Sequence, residues 1–347
     1  MTTDPADRPL NSPGPVLVMG AGAVGCYVGG CLAASGVPVT FVGRPRVLGA
    51  LAAHGLTLTD RDGARRTVAA AQVQTADAVP AGARPALVLL CVKSAATAEA
   101  AGQLAAALPA GTPVLSLQNG VGNAEVARQA APALRMLPGM VPYNVAELSP
   151  GAWHRGTGGR LAAPQDAALA PWVPVFAAAG VPLALVPDIR AVQWGKLLIN
   201  LNNPVNALSR LSLRDEFMHA GWRRCFAALM EEGLQVLAAA GIQPAPFGTL
   251  PQARLVRVLR LPDWLFRIVA RRMLTMDAKA RSSMADDLAL GRRTEVDALC
   301  GEVVRLARRH GVPAPRNAKM VQLLDGGWPE PPPVLTARQV LRELGVA

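Results

Sequence analysis

From Val16 onward the chain repeats one arrangement: a short apolar run, a break, and a longer stretch with helical spacing. Val16–Met19 predicts a strand, residues from about 24 to 35 a helix stopped by Gly36, and Val39–Val42 a second strand. Neither strand alternates apolar with polar residues, as expected where helices cover both faces of a parallel sheet. The alternation continues with a strand at 86–92, a helix at about 95–108, a strand at 114–117 and a helix at about 124–133. An irregular stretch with Trp153 and several glycines then leads to a last strand at 181–186. Beyond it residues 190–325 carry long segments of helical spacing, as in Phe226, Leu229, Met230, Gly233, Val236 and Leu237, or Val296, Leu299, Val303 and Leu306. The expected plan is a loose, Pro-rich tail over 1–14, an α/β domain over 15–187 and an all-α domain over 188–347.

Composition agrees with two domains: 347 residues are long for one core, and 51% apolar residues exclude a disordered chain. The net charge of +11 raises the question of a polyanionic partner. Its arginine pairs, Arg65/Arg66, Arg223/Arg224, Arg271/Arg272, Arg292/Arg293 and Arg308/Arg309, are scattered and lack interleaved aromatics, so they read as a solvated surface and not as a nucleic-acid site. Five cysteines with no CxxC spacing and apolar neighbours predict buried free thiols in a reducing cytoplasm, and the four histidines offer no metal spacing. Residues 15–43 carry no charge, but their glycines and Pro38, with acidic Asp4 and Asp7 upstream, argue against a membrane span or signal peptide.

The first chemical motif is Gly20-Ala21-Gly22-Ala23-Val24-Gly25, between a strand and a helix. In that context the first glycine makes the turn, the second admits a pyrophosphate to the backbone, and the third lets the helix close on the strand. A helix N-terminus then faces the anion. The unit therefore reads as a Rossmann-type dinucleotide-binding domain. An NAD site places a carboxylate at the end of the second strand to bind the ribose 2′-OH. Here the chain runs Gly43-Arg44-Pro45-Arg46, with no carboxylate before Asp60. Arg44 suits a 2′-phosphate, so NADPH/NADP is the expected cofactor.

Lysine occurs only at Lys93, Lys196, Lys279 and Lys319 among 35 basic residues. Arginine cannot release a proton near neutrality, whereas a desolvated lysine can, which makes a retained lysine a candidate proton donor. Lys93 ends the strand at 86–92, on the side of an open sheet where ligands bind. Lys196, Asn200 and Asn203 fall at i, i+4 and i+7 of an apolar helical segment, predicting one polar stripe that lines a site where domains meet. Lys279 and Lys319 read as surface residues. Asn119, in the strand-to-helix loop Gln118-Asn119-Gly120-Val121-Gly122, is placed to reach nicotinamide or substrate. Read locally, Thr294 caps a helix with Glu295 in its first turn.

Taken in order, these motifs resemble the 2-dehydropantoate 2-reductase (ketopantoate reductase) family, within the 6-phosphogluconate dehydrogenase-like superfamily. The resemblance rests on Gly20 to Gly25, Val92-Lys93, Gln118 to Gly122, Trp194-Gly195-Lys196-Leu197 with Asn200, Asn203-Pro204, Ser282-Ser283-Met284 and Arg293-Thr294-Glu295-Val296-Asp297. It implies NADPH-dependent reduction of 2-dehydropantoate to (R)-pantoate, in pantothenate and coenzyme A biosynthesis, with Lys196 as proton donor. It implies cofactor binding by Gly20, Ala21, Gly22, Ala23, Val24, Gly25, Arg44, Lys93, Asn119 and Glu295. It further implies substrate binding by Asn119, Lys196, Asn200, Asn203 and Ser283, and it replaces the local capping reading of Glu295 with a catalytic carboxylate in the cleft. One place departs from the family pattern: only Leu201 and Asn202 separate Asn200 from Asn203, one residue fewer than usual. Removing a residue from a helix rotates every later side chain by about 100°, so Asn202 competes with Asn203 for the role. Alternative readings are a reductase of another 2-oxo acid and a non-enzymatic NADPH sensor; a homodimer through apolar helix faces suits any of these.

Overall fold

The computed structural model of the protein describes residues 12–246, 248, 250–271, 280–325 and 335–346. Most of the expected tail, 1–11, and Lys279 lie outside the described residues. The chain divides into two compact units, Met1–Ile189 and Arg190–Ala347.

The first unit contains, in order, β1 (Val16–Met19), α1 (Ala23–Ala34), β2 (Val39–Val42), α2 (Pro45–His54), β3 (Leu56–Asp60), β4 (Arg65–Val68), β5 (Gln74–Ala76) and β6 (Leu87–Leu90). There follow α3 (Thr97–Ala107), β7 (Pro113–Ser116), α4 (Asn123–Ala130), β8 (Arg135–Pro138), β9 (Val145–Ser149), β10 (Ala152–Arg155), β11 (Leu161–Pro164), α5 (Trp172–Ala178) and β12 (Leu183–Val186). Six strands form a parallel sheet in the order β5-β2-β1-β6-β7-β8. The chain enters at β1, builds outward through β2, then crosses to β6 on the other side, so the strand order reverses between β1 and β6. Every residue of β1 and β6 is buried, and the two-residue period divides them between layers. Val16, Val18, Leu87 and Leu89 pack into the layer of α1, whereas Leu17, Met19, Val88 and Leu90 pack into that of α3 and α4.

A second sheet, β4-β3-β10-β9, covers the other side of α1, and β11 pairs with β12. This explains the charge-free stretch at 15–43. A Cβ on Gly29 would meet Val18 and Phe41 of the first sheet, and one on Gly30 would meet Leu56 and Leu58 of the second. The helix is enclosed on both sides, so eight consecutive residues from Gly25 to Leu32 are buried. The sequence pattern marks none of α2, β3, β4, β5 or β8 to β11; these strands have three to five residues, and β9 is largely exposed, which leaves little periodicity to read.

The second unit is helical. It comprises α6 (Ile189–Asn200), whose first residue closes the first unit, α7 (Asn202–Ser209), α8 (Leu213–Phe217), α9 (Ala220–Ala239), α10 (Gln252–Leu259) and α11 (Asp263–Val269). It continues with α12 (Ser283–Ala289), a π-turn at Asp297–Gly301, α13 (Glu302–Arg309), α14 (Pro315–Asp325) and α15 (Ala337–Glu343). The twenty-residue α9 is the axis of its core, and the apolar positions read at 226–237 and 296–306 are buried. Two charges on α9 are buried as well. Arg223 donates to the carbonyls of Phe217, Leu259 and Leu261, pairs with Asp263 at 2.9 Å and lies 4.2 Å from the Phe266 ring. Glu232 accepts from the backbone N–H groups of Arg316 and Asn317, capping α14 from a neighbouring helix. The expectation of a solvated Arg223 is thus overturned: its donors saturate carbonyls that the core would leave unpaired.

Cys26, Cys31, Cys225 and Cys300 are buried free thiols and Cys91 is half-buried, and burial pushes the Cys31 thiol up to about 11. No helix among the described residues is long and apolar enough to cross a membrane.

The glycines of the first turn give a test of the packing. A Cβ on Gly25 would lie 2.2 Å from the Gly20 carbonyl oxygen, whereas one on Gly22 meets nothing within 4 Å. Gly25→Ala is expected to lose about 1–3 kcal/mol in denaturant unfolding, and Gly22→Ala to stay within roughly 1 kcal/mol of the wild type.

Candidate active site

In the first unit the glycine turn leaves β1 at the point where the strand order reverses. Gly20 has φ +108°, and a Cβ there would meet the Val92 nitrogen at 2.6 Å, so the turn fits only because the residue lacks a side chain. Gly20 and Ala21 both donate to the Val42 carbonyl, tying the turn to the end of β2. Gly22 is the N-cap of α1 and supplies no side-chain hydrogen bond, nor does an acidic residue occupy the first turn. The backbone N–H groups of Ala23, Val24 and Gly25 stand at an uncapped helix N-terminus, where they and the helix dipole favour an anion. Open space at Gly22 and closed packing at Gly20 and Gly25 fit a dinucleotide pyrophosphate laid against the turn.

The strands beside β1 carry the two cations. Arg44 is exposed at the end of β2 and precedes Pro45 at the start of α2. Gly43 brings it close: a Cβ there would lie 2.6 Å from that of Ala21. Arg46 is engaged by Glu147 through two hydrogen bonds, whereas no carboxylate pairs with Arg44 among the described residues. Asp60, the first carboxylate after the turn, is buried against Arg155 at 3.0 Å and is withdrawn from any ribose. Lys93 is exposed just past β6, so Arg44 and Lys93 bracket the turn from strands roughly 10 Å apart.

Asn119 is half-buried after β7, in a loop set by a buried residue that local pattern does not single out. Gln118 accepts from the Ser116 hydroxyl and donates to the Val92 carbonyl at 2.9 Å and to Thr97 Oγ1 at 2.7 Å. Asn123 Nδ2 donates to the Asn119 carbonyl at 2.6 Å. The loops carrying Lys93 and Asn119 are therefore stapled together through one carboxamide.

In the second unit Lys196 is half-buried on α6, between buried Gly195 and Leu197. Burial lowers its pKa from 10.5 to about 8, and the Glu295 carboxylate opposes that shift. Glu295 is half-buried in the segment before the π-turn. The helical segment after it has Val296 as its N-cap and starts at Asp297, two residues beyond where a Thr294 cap would start it, so the local reading of Thr294 as a cap does not hold. The two residues named as catalytic from the sequence thus act on each other across more than ninety positions. α6 is held by residues that periodicity passes over. Gln252 Nε2 donates to the carbonyls of Gly195 and Ala245, and Ala245 donates to Ala191.

The expected single stripe is interrupted. α6 ends at Asn200, Leu201 has ψ −10°, and α7 starts at Asn202, so Lys196 and Asn200 share a helix while Asn203 lies on the next. Asn202 is buried toward Glu216, whose pKa burial raises to about 7, while Asn203 is half-exposed. Ser283 is exposed as the first residue of α12. Lys319, taken for a surface residue, is half-buried and pairs with Glu343 at 3.1 Å.

A reversed-order sheet with a phosphate-binding turn, joined in one chain to helices that hold an amine out of water, defines a nicotinamide-dependent oxidoreductase. Comparison with known proteins narrows that class. Residues 16–166 match the family model described as ketopantoate reductase PanE/ApbA, and residues 188–327 match its C-terminal counterpart. A 2-dehydropantoate 2-reductase of Halobacterium salinarum is 33% identical over 307 residues, covering 86% of this chain and 94% of that one. The crystal structure of a PanE/ApbA family ketopantoate reductase from Ralstonia eutropha superposes with a TM-score of 0.76 at 33% identity, over 90% of this chain and 97% of that one. A D-mandelate dehydrogenase solved with NADH and anilino(oxo)acetate shares the fold, with a TM-score of 0.73 at 18% identity over 90% and 97% of the two chains. The chain belongs to the ketopantoate reductase family.

The close packing of α6 yields a prediction. A Cβ on Gly195 would lie 2.1 Å from the Ala245 carbonyl oxygen. Gly195→Ala is expected to lose about 1–3 kcal/mol of stability, with a fall in catalytic rate at temperatures where the variant stays folded, read by thermal unfolding beside steady-state kinetics.

Proposed function

We propose that the protein reduces 2-dehydropantoate to (R)-pantoate with NADPH, the first unit holding the cofactor and the second supplying the proton and the substrate contacts. The observation that carries this reading is the lysine of α6, brought to a pKa of about 8 by desolvation, with a carboxylate opposing the shift. Bound NADPH supplies the hydride to the ketone carbon. Gly20 to Gly25 receive the pyrophosphate, Arg44 and Lys93 the 2′-phosphate, and Asn119 the nicotinamide and substrate. The Lys196 ammonium polarises the ketone and gives its proton to the forming alkoxide. Glu295 keeps that amine charged against its burial. Asn200, Asn203 and Ser283 orient the substrate, Ser283 toward its carboxylate. The spacing of Asn200 and Asn203, one residue shorter than the family pattern, favours a second reading in which another 2-oxo acid is the natural substrate. Buried free thiols fit a reducing compartment such as the cytoplasm.

Purified protein given 2-dehydropantoate should consume NADPH, and Lys196→Ala should lower kcat by about 10²–10⁴-fold with little change in NADPH affinity. Reduction needs the ammonium, so kcat/KM should be flat below pH 8 and fall above it. Removing the opposing carboxylate with Glu295→Gln should move that limb to lower pH. A panel of 2-oxo acids that leaves NADPH absorbance unchanged while the cofactor still binds would sink the enzymatic reading in favour of a sensor.

Cofactor choice is tested separately. Arg44→Ala should raise the Kd of NADPH by roughly tenfold or more and leave that of NADH nearly unchanged. Equal losses for both cofactors would show that Arg44 does not bind the 2′-phosphate.

A further inference from the structure

Two of the residues assigned above to the substrate, Asn203 and Ser283, lie eighty positions apart in sequence, and nothing in their own helices sets one relative to the other. The residues beside them do. Asn206 is fully buried on α7, one turn beyond Asn203. Its Oδ1 accepts the Ser282 backbone N–H at 2.8 Å, and its Nδ2 donates to Glu216 Oε2 at 2.5 Å and to the Leu211 carbonyl at 3.1 Å. Ser282, also buried, is the N-cap of α12: its hydroxyl accepts from Ala285 N at 3.1 Å and donates to the Asn203 carbonyl at 3.2 Å. The amide and the hydroxyl of one residue are thus both bonded to α7, one at Asn206 and one at Asn203.

We infer that Asn206 and Ser282 form a two-point clasp that fixes Asn203 and Ser283 in register, making both positioning residues for the substrate. The inference rests on the substrate roles proposed for Asn203 and Ser283. The geometry favours a clasp over ordinary core packing because the carboxamide is oriented at both ends. Its two donors are engaged by Leu211 and by the buried Glu216, which leaves Oδ1 aimed at Ser282. With the hydroxyl bond beside it, α12 cannot slide or turn on α7 without breaking one of the two. Displacements of about 1 Å in a positioning group can alter rates by up to 10²-fold. Neither residue touches the reacting atoms in this scheme, so losses should appear in substrate binding before chemistry.

The test compares Asn206→Ala, Ser282→Ala, Ser282→Thr and the Asn206→Ala/Ser282→Ala double variant with the wild type, using whichever 2-oxo acid the wild type reduces. Each single alanine variant should raise KM roughly tenfold, with kcat changed less and the Kd of NADPH unchanged. Ser282→Thr keeps the hydroxyl and should restore most of the loss. The double variant should lose little more than the worse single one, because both bonds hold the same element. Should Asn206→Ala fail to fold, the Ser282→Ala and Ser282→Thr pair alone decides the matter. Unchanged KM in folded alanine variants of an active wild type would overturn the clasp and leave the proposed reaction standing, as would a Thr variant as impaired as the Ala variant. A wild type that reduces no 2-oxo acid would instead remove the proposed reaction, and the clasp with it.

Discussion

At three glycines α1 lies too close to its surroundings for any side chain. Gly25 lies against the Gly20 carbonyl, Gly29 against Val18 and Phe41, and Gly30 against Leu56 and Leu58. The rest of the first unit depends on that closeness. A helix lying so near β1 presents its N-terminus directly over the strand end, and β2 and β6 on either side deliver Arg44 and Lys93 to the same edge. The stretch from 15 to 43 has no charge because a charge within a helix covered on both sides would be buried without a partner. A segment that resembles a membrane span in composition is a helix enclosed by protein.

The same closeness explains which parts of the fold can be read from sequence. β1, α1, β2, β6 and β7 are legible because burial on both faces leaves continuous apolar runs separated by glycine. The second sheet is not, since β3, β4, β9 and β10 are short and partly exposed, and its two hairpins are joined only by the pairing of β3 with β10, far along the chain. Among site residues, Lys196 stands out because arginine fills almost every other basic position, and Glu295 only because the motif around it resembles a family. Gln252 and Asn206 escape notice, and Gln118 and Ser282 enter only as members of motifs, for a common reason. Each is a polar residue whose partners are backbone groups or side chains of another segment, and no local period reports such a bond.

Buried charge is handled in two ways in the helical unit. Arg223 and Glu232 are saturated by carbonyls and N–H groups, which makes them fixed parts of the core. Lys196 is desolvated until its pKa falls to about 8, with one carboxylate opposing the fall. At that value the amine is still roughly nine-tenths protonated at pH 7 and yet far more acidic than a surface lysine. A proton donor benefits from both properties, because the charge is available to polarise a ketone and the proton transfers more readily. Arginine at this position would supply the charge without the proton.

The shortened segment between Asn200 and Asn203 shows how a helix break changes the result of a deletion. In one continuous helix, losing a residue would rotate every later side chain by about 100° and bring Asn202 toward the face that Asn203 had occupied. Here α6 ends at Asn200 and α7 begins at Asn202, with Leu201 between them right-handed but at ψ −10°, so the rotation into α7 departs from that of a continuous helix and the contacts of α7 complete its placement. Those contacts turn Asn202 inward to Glu216 and leave Asn203 half-exposed. The amide next to Pro204 is therefore the one presented outward from α7, and Asn202 the one turned into the core.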